Sequence, residues 1–232
     1  LTLFLEKIKS KTSFGLIRPS DGEYKILQNE TLTNCDNWTF KSGGILQKHL
    51  MEAVSTINSN LFIGIPCNTC NKPWNCTEKI YNDYINLYKV PIEQRTYANI
   101  FGNSNWKTFI EFIKSYEEKI YLITSGKSIS TFKTFETFEI DKCLVNIWDI
   151  VWETETKRLL DFISERNLNN QLILFSAGPL SKVWIPMCMK LMPNNMYVDV
   201  GGAIDILTKG TTSRLYIDDN HPFAKESCNF KL

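Results

Sequence analysis

Gln171-Leu172-Ile173-Leu174-Phe175-Ser176-Ala177-Gly178-Pro179 is the stretch that decides the fold. Its apolar run does not alternate with polar residues. A strand of that kind has both faces buried, as in a parallel sheet covered by helices. Glycine and then proline follow at once. Proline suits the first position of a helix, where its missing N–H is not needed. The reading is therefore strand, tight turn, helix. Lys119-Ile120-Tyr121-Leu122-Ile123-Thr124 repeats the continuous pattern. Further strands are expected at 14–18, 61–65, 96–101, 143–147 and 196–200. Between them, apolar residues recur at helical spacing: Leu46, Leu50, Val54 and Ile57 in 46–57; Ile80, Tyr84 and Leu87 in 77–87; and Leu159, Leu160 and Ile163 in 153–166, with a further helix at 106–116. Strands alternating with helices predict an α/β fold: a Rossmann-like, doubly wound, mostly parallel sheet with helices on both faces. A single domain over 1–232 is expected.

Composition narrows the function. The 232 residues are 43% hydrophobic and 22% charged, with a formal net charge of +1. That is enough chain for a sizeable core, and no strong field points to nucleic acid or an acidic membrane. No apolar run is long enough to span a bilayer, and no leader pattern is visible. The expectation is a cytoplasmic protein, although a chain that starts at Leu1 reads as a domain cut from something longer. The seven cysteines are an odd number, which a full disulfide framework would not use up. Cys143 and Cys188 read as small core residues. Cys67, Cys70 and Cys76 form one cluster, but a zinc site needs a second ligand pair. Cys35, Cys228, His49 and His221 stand at no recognisable spacing, so reduced loop thiols are expected. Sequons at Asn29, Asn37 and Asn75 are no more than chance supplies in a chain so rich in Asn, Ser and Thr.

Ligands of such sheets sit beyond the carboxyl ends of the strands. The first strand runs into Arg18-Pro19-Ser20-Asp21-Gly22-Glu23. Two carboxylates on one tight turn are costly neighbours unless a cation sits between them. A hard divalent ion carried by a diphosphate is such a cation, and Arg18 can grip the same phosphates in a bidentate way. The plain alternative is an ordinary strand-to-helix turn. Later strands end in Pro66-Cys67-Asn68, Gly102-Asn103-Ser104, Ser125-Gly126-Lys127-Ser128, Gly178-Pro179 and Gly201-Gly202. Small turns at one edge let backbone N–H groups approach a phosphate. Ser125-Gly126-Lys127-Ser128 is not a Walker loop, because position 121 is Tyr rather than the first glycine. Gly126 and Lys127 are still placed to meet a phosphate, with a serine N-cap as the alternative. Pro179 at a first helical turn suggests free N–H groups for a diphosphate or ribose, with Lys182 one turn on. Asp199, Asp205 and Asp149 are candidate bases for an acceptor hydroxyl. His49 reads as structural and His221 as a surface residue. Trp74, Trp106, Trp148 and Trp152 are possible sugar or base platforms, although tryptophan is more often core.

Taken in order, these motifs resemble the GT-D glycosyltransferases, a family first catalogued as a domain of unknown function. The order is Ile17-Arg18-x-x-Asp21-Gly22-Glu23, a mid-chain Asn/Phe/Gly turn, Leu172-Ile173-Leu174 with Gly178-Pro179 and Lys182-Val183, and Val198-Asp199-Val200-Gly201. The likeness runs from about Gly15 to Leu207. It implies a metal-dependent enzyme, using Mn2+ or Mg2+, that moves a sugar from a UDP-sugar to a glycan or glycoprotein. By that resemblance Asp21 and Glu23 serve the metal and the donor diphosphate. By the same resemblance Arg18, Gly178, Pro179 and Lys182 contact the nucleotide sugar. From the turns themselves Asn103, Gly126 and Lys127 are expected to join them, and Asp205 is the catalytic base expected beside Asp21 and Glu23, with Asp199 and Asp149 as the other candidates. The family commonly has His where this chain has Gly202, which leaves the acceptor side open. A nucleotide- or carbohydrate-binding module without catalysis is the alternative. A Rossmann oxidoreductase is disfavoured, since no Gly-x-Gly-x-x-Gly follows the first strand.

Overall fold

The computed structural model describes residues 1–34, 38–67, 78–88, 91–126, 134–141 and 143–228. Lys127, Cys35, Cys70, Cys76, Trp74, Asn37 and Asn75 lie outside the described residues. The strands are β1 (Phe14–Ile17), β2 (Leu32–Thr33), β3 (Thr39–Phe40), β4 (Leu61–Ile65), β5 (Arg95–Tyr97), β6 (Ile120–Ser125), β7 (Phe135–Ile140), β8 (Leu172–Ser176) and β9 (Met196–Asp199). The helices are α1 (Thr2–Lys9), α2 (Asp21–Leu27), α3 (Ile45–Val54), α4 (Glu78–Leu87), α5 (Trp106–Ser115), α6 (Trp148–Glu165), α7 (Pro179–Leu191) and α8 (Asp205–Thr208). Seven strands form one sheet in the order β5-β4-β1-β9-β8-β6-β7. Each neighbouring pair is parallel. The short β2 and β3 make a separate antiparallel pair.

Alternation along the central strands divides two apolar cores. Leu16, Leu122, Leu172, Leu174 and Val198 face α1 and α5, against Phe4, Ile8, Phe109 and Ile113. Ile17, Ile123, Ile173, Phe175 and Tyr197 face the other way, against Ile26, Leu50, Leu159 and Ile185 of α2, α3, α6 and α7. The expected doubly covered parallel sheet is present. No helix among the described residues is long and apolar enough to cross a membrane.

The strand expected at 143–147 is a short 3-10 turn, Leu144–Ile147, leading into α6. Asp141 Oδ1 accepts from the Cys143 N–H at 2.7 Å, which turns the chain there. The fifth strand of the set is instead β7, an edge strand with only Phe138 and Ile140 buried. Its mixed Phe135-Glu136-Thr137-Phe138-Glu139-Ile140 pattern carries no continuous apolar signal. Helix α6 begins earlier than 153 because Trp148 is locked into the core, its indole N–H donating to His49 Nδ1 at 3.1 Å. The strand expected at 96–101 ends at Tyr97, and Ile57, beyond the end of α3, is 71% exposed rather than inward. Cys188 is buried as expected, while Cys143 is only half-buried.

Close packing at the carboxyl edge depends on Gly64 of β4. A Cβ there would lie 2.9 Å from the Cα of Ala98 and 3.3 Å from the Cα of Arg18. Both obstacles are backbone, so the strand ends would have to separate. Gly64→Ala is expected to cost about 1–3 kcal/mol, the usual range for overpacking. Gly22→Ala meets nothing closer than Asn34 at 3.6 Å and is expected to hold or gain stability. Urea denaturation midpoints for the two variants check this; an unchanged midpoint for Gly64→Ala would contradict it.

Candidate functional site

The turns at the carboxyl edge enclose a cleft of about 510 Å³. Arg18, Asp21, Glu23, Asn103, Gly126, Gly178, Lys182 and Asp205 all line it, so the structure brings most of the sequence-selected residues together. Pro179 is buried beneath the cleft at the start of α7 and does not line it.

Helix α2 starts at the ligand edge because Ser20 caps it. Ser20 and Glu23 form a capping box, with the Ser20 N–H donating to Glu23 Oε2 at 2.9 Å. The Asp21-Gly22-Glu23 segment is thus a helix start as well as a pair of carboxylates. Glu23 is buried, and its Oε1 lies 3.2 Å from Lys182 Nζ. Lys182 also meets Asp199 Oδ2 at 3.0 Å and donates to the Gly178 carbonyl at 3.1 Å. Asp199 is fully buried, and its Oδ2 accepts from the Arg18 N–H at 3.0 Å. The Arg18 guanidinium donates through Nε to the Asp199 carbonyl and through Nη1 to the Ala98 carbonyl at 2.6 Å. Two cations and two anions therefore form one buried, neutral cluster beneath the cleft.

Burial alone would push the Lys182 ammonium down. The charges of Asp199 and then Glu23 outweigh burial and the opposing Arg18, and the pKa rises above the ordinary 10.5. Asp21 behaves differently. It is exposed to solvent but ringed by cleft walls. That surrounding protein, and then the charge of Glu23, raise its carboxyl above the ordinary value, against hydrogen bonds from Ser20 and the backbone.

The three candidate bases separate clearly. Asp149 lies outside the cleft lining and caps α3, accepting from the Ile45 N–H at 2.6 Å. Asp199 is enclosed in the ion cluster. Asp205 is the one of the three that lines the cleft, at the first position of α8, with Lys209 Nζ 3.0 Å from its Oδ1.

The turn amides are less open than the sequence suggests. At the start of α7 the Leu180 and Ser181 N–H groups bond the Ala177 and Gly178 carbonyls, and the Ala177 N–H donates to Ser181 Oγ. The Gly126 N–H is used by the Ile140 carbonyl. Asn103 is the better polar candidate. It is 9% exposed, held at a left-handed φ of 51°, and its amide nitrogen finds no hydrogen-bond acceptor among the described residues. A buried donor without an acceptor is costly, and a ligand oxygen in the cleft would satisfy it.

Several lining residues escaped the sequence reading. Trp38, Tyr216, Phe223 and Arg214 all face the cleft. The expected aromatic platforms lie elsewhere: Trp148 is core, Trp152 packs on His49, and Trp106 donates to the Ala203 carbonyl at 2.9 Å. The segment carrying Arg214, Tyr216 and Phe223 has no apolar periodicity, so only its aromatic and cationic side chains could have marked it.

Removing Lys182 would leave Glu23 and Asp199 buried without their shared cation. Lys182→Ala is expected to cost about 3–5 kcal/mol, the range for breaking a buried pair from one side. With its pKa raised, the lysine's contribution is complete below pH 10.5, where the unfolded chain also holds that proton. It is lost as the pH climbs through the higher folded value. Denaturant titrations of wild type and variant should show a gap that is constant at neutral pH and closes only above pH 10.5. A gap below about 1 kcal/mol at pH 7 would show that the cluster does not anchor the site.

No family model and no curated protein matches the chain. Two solved structures do match it in fold. One is described as showing that the highly conserved domain of unknown function 1792 has a distinct glycosyltransferase fold. It is 18% identical, at a TM-score of 0.61, over 90% of this chain and 80% of that one. The other is a selenomethionine-substituted structure of domain of unknown function 1792. It is 16% identical, at a TM-score of 0.61, over 97% of this chain and 87% of that one. The sheet, its helical layers and the cleft at its carboxyl edge thus belong to a chain with the fold of domain 1792, described as a distinct glycosyltransferase fold.

Proposed function

We propose that the protein is a glycosyltransferase that moves a sugar from a nucleotide-diphosphate donor, a UDP-sugar, to a hydroxyl of a glycan or glycoprotein. The observation that carries this reading is Asp21. It is an exposed carboxylate at the rim of a cleft of about 510 Å³, beside the glycine turns of a fold shared with domain 1792. Glycosyl transfer builds charge on a departing diphosphate while the sugar carbon becomes cationic, so the site has to stabilise the leaving group. Mn2+ or Mg2+ fits the donor set, since such ions take one or two carboxylates and complete their shell with phosphate oxygens and water. Bound there, the ion would offset the leaving charge. Asp21 faces solvent, and although its Oδ1 accepts from the Ser20 hydroxyl at 3.2 Å, that partner is an exposed hydroxyl rather than a buried charge. Both Glu23 oxygens are engaged already, by Lys182 and by the Ser20 N–H. Glu23 can reach an ion only through an oxygen it shares, so its larger task is to hold Lys182 and the start of α2.

Asp205 takes the acceptor's proton in this reading. It lies in the cleft at the end of the β9 turn, and its ion pair with Lys209 fixes the carboxylate's direction. Asn103, Gly126 and Gly178 line the space left for the nucleotide sugar.

A thermal-shift screen of nucleotide sugars with manganese tests the donor, because a ligand of the folded state raises the melting temperature. One UDP-sugar is expected to stand out and to release UDP on incubation. Asp21→Ala is expected to lower that release at least tenfold, about 1.4 kcal/mol of barrier. Unchanged release in both Asp21→Ala and Glu23→Ala would rule out the metal assignment. Binding without turnover for every donor and acceptor tried would favour a nucleotide-binding module.

A further inference from the structure

The charges in the cleft raise a question for this reading: which cation meets the diphosphate? Arg18, Lys127 and Lys182 were the expected candidates; Lys127 lies outside the described residues, and the other two are already engaged. Lys182 directs its ammonium to Glu23, Asp199 and the Gly178 carbonyl. Arg18 spends Nε and Nη1 on the Asp199 and Ala98 carbonyls, and its Nη2 lies 4.0 Å from Asp199 Oδ1. A diphosphate could draw on Lys182 only by disrupting the buried cluster, and on Arg18 only through Nη2, since Nε and Nη1 are committed.

Arg214 is differently placed. It follows α8 in a segment that folds back along the cleft wall. Its guanidinium fills the space that a side chain at Gly202 would need, with Nε 2.5 Å and Nη2 2.7 Å from the position of the absent Cβ. Asp205 Oδ2 is 2.9 Å from the same point. The backbone that carries the arginine is fixed on both sides. The Arg214 N–H donates to Thr212 Oγ1 at 3.0 Å, and its carbonyl accepts from Ile217. Two residues on, Tyr216 lies against Gly102, 3.1 Å from where that glycine's Cβ would be. Among the described residues no carboxylate or carbonyl holds the guanidinium by an ion pair or hydrogen bond. A planar fork of five donors with no ion-pair or hydrogen-bond partner among the described residues, in a cleft that also presents Asp21, matches the oxygens of a phosphate.

We propose that Arg214 is the cation that grips the donor's diphosphate, and that Gly202 is glycine to leave room for it. This rests on the donor reading given above and adds the residue that would bind the phosphates. Arg18 and Lys182 then shape the cleft floor rather than hold the ligand.

Calorimetric titration of the full chain with UDP and, separately, with uridine tests the assignment. Wild type is expected to bind both. Arg214→Ala should weaken UDP at least tenfold and leave uridine within twofold, because uridine carries no phosphate. Arg214→Lys should fall between, keeping the charge but not the fork. Gly202→Ala should weaken UDP in the same selective way by displacing the guanidinium. UDP affinity unchanged in Arg214→Ala overturns the proposal, and so does an equal loss for UDP and uridine, which would mean that the arginine only supports the wall. Wild type that binds neither ligand sinks the donor reading itself and takes this inference with it.

Discussion

The contact between Lys182 and the two carboxylates of Glu23 and Asp199 is the interaction on which the cleft depends. Lys182 sits on the first turns of α7, Glu23 on the first turn of α2, and Asp199 at the end of β9. Arg18, at the end of β1, closes the set through Asp199. Four elements that lie far apart in the chain are thereby tied at one point, directly beneath the ligand edge of the sheet. Burying such ions carries a large desolvation cost, which only full pairing offsets. Here each charge has an opposite partner, so the cluster is neutral and its geometry is tightly constrained.

That constraint assigns different work to residues of similar chemistry. Asp21 and Glu23 are two positions apart, yet one faces solvent at the cleft rim and the other is buried in the cluster and the capping box. Lys182 and Arg214 are both cations of the cleft wall, yet one is enclosed by carboxylates and the other lies over a glycine. Asp199 and Asp205 follow one another along the same turn, the first internal and the second facing the cleft. In the first two pairs burial separates a residue that holds the site together from one that can meet a ligand; Asp199 and Asp205 are both buried, and only the second lines the cleft.

The sequence made the sheet legible because its central strands are buried on both faces. Leu172–Ser176 and Ile120–Ser125 have no polar face, so continuous apolar runs marked them. The edge strand Phe135–Ile140 was missed for the converse reason: its solvated positions break the run. The ligand edge was legible too, since Arg18, Asp21, Gly178 and Asp205 follow strands at short range. Which cations are committed was not, because the Lys182–Glu23 contact joins residues 159 positions apart. Arg214 was invisible for a related reason. Its role depends on the missing side chain of Gly202, a steric relation that no spacing along the chain records.

The central claim is that the buried ion cluster stays intact while the ligand meets Asp21 and Arg214. A crystal structure of the protein with UDP and manganese tests it most directly. The account predicts nucleotide in the cleft, the diphosphate between Asp21 and Arg214, and Lys182 still held by Glu23 and Asp199. A diphosphate bonded to Lys182, with its contacts to those carboxylates broken, would contradict it, as would nucleotide bound away from this cleft.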